Sequence, residues 1–353
     1  MQPAHPGARR PALLATLVAI GVTILTACGP ATPSSSPAHL ESATGLSGSP
    51  SPTTRQSEPP SPTAGASPAW AVARAATLPT RLSTGLSRSV AIVVGNGIDV
   101  FGGFSSTGST TGEILLFDPV AANIGAVGEL AVPVHDAAGV LLHGAVIIFG
   151  GGSGFPSSVV QRVDANAVAR VIGDLPTARA DLSAVPIGGS AIVLGGAASG
   201  ALPPEVLATE DGVHFRVVAT LGVAVRYAAV AESGGRIYVI GGEGGAGEVS
   251  EIQRINLATG EVEVIGRMPS PISHASAMVI DGRIFVLGGR SGGIAQDAIW
   301  QVDAVTASSR LVGRLPQPAS DFPLAVVGRV GYAIGGETDT QVASIVAIEI
   351  AYR

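Results

Sequence analysis

Between Asp99 and Gly336 the chain returns six times to one pattern, a short apolar run closed by two glycines. The copies are Val100-Phe101-Gly102-Gly103, Ile148-Phe149-Gly150-Gly151, Val193-Leu194-Gly195-Gly196, Val239-Ile240-Gly241-Gly242, Val286-Leu287-Gly288-Gly289 and Ala333-Ile334-Gly335-Gly336. Successive first glycines lie 48, 45, 46, 47 and 47 residues apart. One Gly-Gly means little in a chain with 48 glycines, but six at near-constant spacing mark a repeated supersecondary unit. The unit around Gly241 predicts four strands: Arg226 to Glu232, Arg236 to Ile240, Val249 to Asn256 and Glu261 to Ile265. Ser233-Gly234-Gly235 and Ala258-Thr259-Gly260 supply the turns, and a glycine-rich loop joins the second strand to the third. Both faces of Ile237-Tyr238-Val239-Ile240 are apolar, so these strands are expected in sheets covered on both sides. In the first unit, Asn96-Gly97 predicts a type I′ turn between strands one and two.

The ends of the repeat region complement each other. After Gly335-Gly336 only one further strand follows, Ala343 to Ala351, leaving the last unit a strand short. An orphan strand, Trp70 to Ala75, precedes the first unit and leads into Leu78-Pro79, much as Ser309 to Gly313 leads into Leu315-Pro316. The orphan strand is expected to complete the sixth sheet, which would tie the ring together and remove its open edges.

Three units carry an aromatic residue three places before the first glycine, Tyr238, Phe285 and Tyr332, whereas Asp99, Ile147 and Ile192 depart from that pattern. Trp70 and Trp300 are the only tryptophans. On the six glycine pairs, their period and these aromatics, the chain from Trp70 to Arg353 resembles the kelch-repeat family, including the central domain of galactose oxidase. The resemblance implies an all-β domain over 69–353. Its form would be a six-bladed kelch-type β-propeller of four-stranded antiparallel blades, with the N-terminal strand closing the last blade.

The first 68 residues read differently. Arg9 and Arg10 precede an apolar run from Pro11 to Thr26. That run is shorter than the roughly 20 residues of a spanning helix and fits a secretory signal peptide. It ends in Leu25-Thr26-Ala27-Cys28-Gly29, which resembles the bacterial lipobox. The resemblance implies a signal peptide over 1–27, lipidation of Cys28, and display on the outer face of the cytoplasmic membrane. Two or more acyl chains give firm attachment, at about 0.8 kcal/mol per buried methylene. From 28 to 68 the chain is rich in Ser, Pro and Thr, as in Glu58-Pro59-Pro60-Ser61-Pro62. Too little apolar surface is present there to offset ordering entropy, so a disordered tether is expected.

Charge narrows the options. The net charge is −6, only 13% of residues are charged, and all 20 basic residues are arginine. Without a basic run, nucleic acid is not an expected partner. Cys28 is the only cysteine, which excludes an intrachain disulfide and a thiolate zinc site. It also excludes the cysteine-crosslinked tyrosine of galactose oxidase. His135, His143, His214 and His274 show no metal-ligand spacing, and no metal or cofactor is expected. Gly242-Glu243-Gly244-Gly245-Ala246-Gly247 matches Gly-x-Gly-x-x-Gly, but a strand follows it where a dinucleotide site needs a helix.

Candidate chemistry recurs at one place in the repeat. Fourteen residues before each first glycine stand Arg88, Asp136, Asp181, Tyr227, His274 and Asp321, with His135, Arg179 and Arg226 beside them. The loops after the glycine pairs add Glu243, Arg290 and Glu337. In a four-stranded meander these positions share one face, and equivalent positions would surround one axis. Such groups either bond loop backbone and neighbouring blades, or grip a ligand, since Arg forks match carboxylates and Asp accepts hydroxyl protons.

These readings favour a monomeric, membrane-anchored propeller that binds an envelope protein or glycan, without catalysis. The alternative is a carbohydrate-active enzyme of the sialic acid mutarotase type, which resembles this chain in fold and needs only acid–base groups in a central pocket. A pocket with a perturbed carboxyl would favour the enzyme.

Overall fold

The computed structural model describes residues 70–352; the expected signal peptide, Cys28 and the tether lie outside them. Among the described residues there is no helix. Among these residues six four-stranded antiparallel units account for the fold; the glycine pair follows the second strand in four of them and lies inside it in the first, Gly97–Ser105, and the third, Ser190–Ala197. The fourth unit consists of Ala229–Ser233, Arg236–Ile240, Glu251–Asn256 and Glu261–Arg267, close to the strands expected from its pattern. In the second and third units one continuous strand, Ala169–Ile187, serves as the outer strand of one sheet and the inner strand of the next, so the two join into a single seven-stranded path.

The ends close as expected. Ala71–Arg81 pairs antiparallel with Ser344–Tyr352, Ala71 opposite Tyr352 and Thr77 opposite Val346. Together with Leu324–Val327 and Val330–Ile334 they make the sixth sheet.

Hydrophobic packing explains why the strands lack simple alternation. Six buried clusters fill the spaces between neighbouring sheets. Phe101 and Ile114 of the first unit meet Val146 and Ile148 of the second, for example. Leu82, Ile334 and Ile345 meet Ile98, Val100 and Phe117, which joins the sixth unit to the first.

The glycine pairs join sheet to sheet. The second glycine of each pair donates its N–H to a carbonyl of the next unit: Gly103 to Val134, Gly151 to Arg179, Gly196 to Val225, Gly242 to Ile272, Gly289 to Ala319, and Gly336 back to Leu86. All twelve glycines have positive φ. At the first position a Cβ would run into the same carbonyl of the next unit, so a side chain is excluded twice over.

The hairpin expectation at Asn96-Gly97 is corrected. Val94 pairs with Gly97, so the two turn residues are Gly95 and Asn96. Only Gly95 has positive φ, the signature of a type II′ turn. The type I′ pattern, with both residues positive, appears instead at His143-Gly144, Gly188-Gly189, Gly234-Gly235 and Asp281-Gly282.

Candidate functional site

The six residues singled out by the repeat form a closed hydrogen-bonded ring. The N–H of Arg88 donates to the Asp321 carbonyl, Asp136 to Arg88, Asp181 to Asp136, Tyr227 to Asp181, His274 to Tyr227, and Asp321 to His274, all at 2.8–3.1 Å. Each has a φ between 52° and 62°, the left-handed region that glycine fills without strain. A residue with a Cβ is disfavoured there by about 1–2 kcal/mol. Among the described residues, six of the eleven non-glycine residues with positive φ belong to this ring. A chain that places glycine in the left-handed region so freely uses none at these six positions. Four of the six are Asp or His, which tolerate this region better than most residues with a Cβ.

A second tier of paired backbone sits on the ring. Arg226 bridges to Glu243, Ser273 to Arg290, and Ser320 to Glu337, each joining the start of an inner strand to the residue after a glycine pair. The side chains of both tiers then connect around the axis. Arg88 bonds Glu337 through Nε at 2.8 Å and reaches Asp136 at 3.4 Å. Arg290 lies 3.3 Å from Glu337 and 3.7 Å from Asp321. His274 bonds Asp321 at 2.6 Å through Nδ1 and Glu243 at 3.2 Å through Nε2. Arg226 bonds Glu243 at 2.8 Å and Asp181 at 3.2 Å. Tyr227 stacks on His274 with ring centroids 3.7 Å apart. Beneath the ring lies a cavity of about 130 Å³ that all six residues line. It adjoins a second space of about 240 Å³ walled by small residues such as Ala91, Gly139, Ala184 and Ala277.

The electrostatics are uneven around this circuit. Burial pushes the Asp136 carboxyl up, nearby Asp181 adds to the effect, and Arg88 offsets part of it, leaving a pKa of about 7. Burial also raises Asp181, partly offset by Tyr227 and Arg226. For His274, burial disfavours the imidazolium, but the hydrogen bonds and charges of Asp321 and Glu243 outweigh it and raise the pKa. Burial opposes the Asp321 carboxylate too, and its bond to His274 more than compensates, so its pKa falls. His135 is lowered by burial and by Arg88, and its Nδ1 shares a 2.8 Å hydrogen bond with Thr110.

Arg179 does not join the group, which corrects the expectation that placed it there. It is 1% exposed, bonds the carbonyls of Gly195 and Glu205, and pairs with the Glu205 carboxylate at 3.2 Å. Its position, two before the ring residue, holds Leu86, Val134, Val225, Ile272 and Ala319 in the other units, all buried. Arg179 therefore occupies a core position, and its Nε has no hydrogen-bond partner.

Several contributors escaped the sequence reading. Glu248 accepts from Ser273 Oγ and from the N–H groups of Gly292 and Gly293, locking the fourth loop to the fifth. Gln161 and Gln253, each 1% exposed, clamp the N–H and C=O of Val132 and Val223 in the links between units. Gln301 accepts from Ala71 N at 2.7 Å and so pins the closing strand. These glutamines stand 11, 12 and 13 residues after a first glycine, an offset too loose to notice without the structure. An open cleft of about 790 Å³ lies between the third and fourth loops. Ala197, Ala201, Leu202 and Val249 wall it, with Arg226 and Glu243 on its lining.

A family model for the Kelch motif matches residues 224–269, the fourth unit. The solved structure titled "Structure of YjhT" superposes with a TM-score of 0.68 at 14% identity, covering 78% of this chain and 99% of that one. No curated protein matches the sequence. The structural likeness and the ring of glycine-linked sheets give the domain a β-propeller fold, whose fourth unit matches the Kelch motif.

Proposed function

We propose that this propeller is carried on the outer face of the cytoplasmic membrane by lipidated Cys28 and binds an envelope glycan or protein through its loop face. The observation that carries the binding role is the ring. Six non-glycine residues hold a strained backbone conformation around one axis, and their side chains converge over a cavity beside an open cleft. Arg226 and Glu243 belong to both the axial circuit and the cleft, so a ligand seated in the cleft would meet them.

Screening of glycans and envelope fractions against the intact chain supplies the ligand, and Arg226→Ala then tests the site. Expected is at least a tenfold loss of affinity with the melting temperature little changed. Unchanged affinity in a folded Arg226→Ala protein would place the binding surface elsewhere. For the anchor, Cys28→Ser is expected to release the protein or leave an unprocessed precursor. A variant that fractionates with membrane at the wild-type mature mass would refute lipidation.

One observation favours the enzymatic alternative. Asp136 holds a proton near neutral pH in a convergent pocket, beside acids and a histidine of different proton affinity, which is what acid–base catalysis of ring opening requires. Faster exchange between the anomers of N-acetylneuraminic acid, lost in Asp136→Asn, would support it. Exchange at the uncatalysed rate would leave binding as the function.

A further inference from the structure

Charge around the axis does not balance by contact. Five carboxylates belong to the circuit, Asp136, Asp181, Asp321, Glu243 and Glu337, against three guanidinium groups and His274. Four of the five have a guanidinium or imidazole nitrogen within 3.3 Å. Asp136 is the exception. Its closest cation is Arg88 Nη1 at 3.4 Å, and Arg88 makes its shorter contact with Glu337. The other neighbour of Asp136, His135 Nε2, is 3.6 Å away, beyond hydrogen-bond reach. Both these contacts go to Oδ2; among the described residues Oδ1 has no hydrogen-bond partner, although the side chain is only 9% exposed. A second group without a partner lines the same cavity: Ser89 Oγ, buried and unbonded. An acceptor left open on a carboxyl short of a counter-charge, with an unbonded hydroxyl on the lining of the same cavity, describes the complement of a small cationic donor.

We infer that the axial cavity receives a primary ammonium group, presented by an amine-bearing ligand such as an amino sugar, with Asp136 as its counter-charge and Ser89 as a hydrogen-bond acceptor. The inference rests on the loop-face binding role and names the ligand chemistry of that site. A bare metal ion fits less well, because no group of three His, Cys, Asp or Glu side chains among the described residues is placed to hold one. A neutral hydroxyl could fill the same acceptors but would leave the carboxyl without its counter-charge. An ammonium satisfies both needs, since it brings three N–H donors together with the missing charge. Because Asp136 carries a proton in much of the empty protein near neutrality, the bound ammonium would displace it, and one event would couple amine capture to proton release.

The test is calorimetric titration of the intact chain near pH 7 with methylammonium chloride and with glucosamine. Glucose and sodium chloride at matched ionic strength serve as controls. Both amines are expected to bind, with affinities in the millimolar range, while glucose and sodium do not. Binding heat should vary with the ionisation enthalpy of the buffer, which reports the released proton. Asp136→Asn should weaken amine binding at least tenfold. Asparagine is among the residues best suited to the left-handed backbone at this position, so the variant is expected to fold. Should it not, Ser89→Ala, expected to weaken binding severalfold, decides. Glucose binding as well as glucosamine, no amine binding up to about 100 mM, or undiminished binding by folded Asp136→Asn would each overturn the inference. If Arg226→Ala abolishes capture of an envelope glycan while amines are ignored, the loop-face role stands and the ammonium assignment alone falls.

Discussion

Single residues in this propeller separate into those that hold charge for structure and those left in deficit. Arg179 belongs to the first kind. Its guanidinium is buried at a core position with an orphaned Nε, while its carboxylate partner Glu205 is 44% exposed. Replacing both members of a buried ion pair by packed apolar residues is often neutral or stabilising, whereas removing one member leaves its partners unpaired. Arg179→Leu also removes the donors to the Gly195 and Glu205 carbonyls, so it is expected to cost about 1–3 kcal/mol in urea unfolding. Arg179→Ala, which leaves a void, should lose about 2 kcal/mol or more. Asp136 is of the second kind. Its folded pKa of about 7 lies above the ordinary carboxyl value, so between those limits the folded state holds a proton that the unfolded chain has released. Stability must then fall as pH rises through that window. His274 has the same sign, because a raised imidazole contributes most below its unfolded pKa and loses that contribution as pH rises through the folded one. His135, lowered by burial, works the other way. The Asp136 contribution is isolated by comparison with Asp136→Asn. Relative to that variant, wild type should lose roughly 1–3 kcal/mol between pH 5 and pH 8. Parallel stability curves for the two proteins would show that Asp136 titrates normally.

At the level of the repeated element, the glycine pair is a joint rather than a turn. Its second N–H reaches across to the next unit, and its first Cα sits where any side chain would strike that unit's carbonyl. Gly241→Ala should therefore cost more than about 2 kcal/mol, from left-handed strain together with displacement of the Ile272 carbonyl from the Gly242 N–H. Gly245, four residues on, has no atom within 4 Å of a Cβ and no positive φ, so Gly245→Ala should stay within about 0.5 kcal/mol. Equal effects from the two substitutions in thermal unfolding would contradict this role for the pair.

The molecule as a whole depends on its two ends meeting. The strand Ala71–Arg81 fills the outer place in the sixth sheet, while Ala71 and Ala73 pack into the core between the fifth and sixth units. Removing residues 1–78 deletes most of that strand and the Gln301 bond to Ala71 N. The expected outcome is aggregation, or loss of the single cooperative unfolding transition. Removal of 1–68 leaves the strand whole and should preserve the melting temperature. A shortened chain starting after Leu78 that unfolds as cooperatively as wild type would mean that closure does not depend on this strand.

Much of this architecture is legible without coordinates, because it is encoded by local and periodic signals. The glycine pairs recur where backbone needs positive φ, and apolar runs recur where sheets cover each other on both faces. The orphan strand before Leu78-Pro79 supplies what the last unit lacks. The same period put Arg88, Asp136, Asp181, Tyr227, His274 and Asp321 in register, since equivalent positions in a closed ring must surround its axis. What remained hidden depends on contacts between residues far apart in sequence. Arg179 shares its neighbourhood along the chain with Asp181, yet its side chain lies in the core, and only the packing of Gly195 and Glu205 around it decides that. The Asn-Gly dipeptide points to a turn one residue later than the structure has it, because the pairing of Val94 with Gly97 fixes the register. The ring of backbone bonds and the deficit at Asp136 were likewise invisible. A sequence gives the kinds of charge present, but which carboxylate is least well matched by a counter-charge follows from distances set by all six sheets at once.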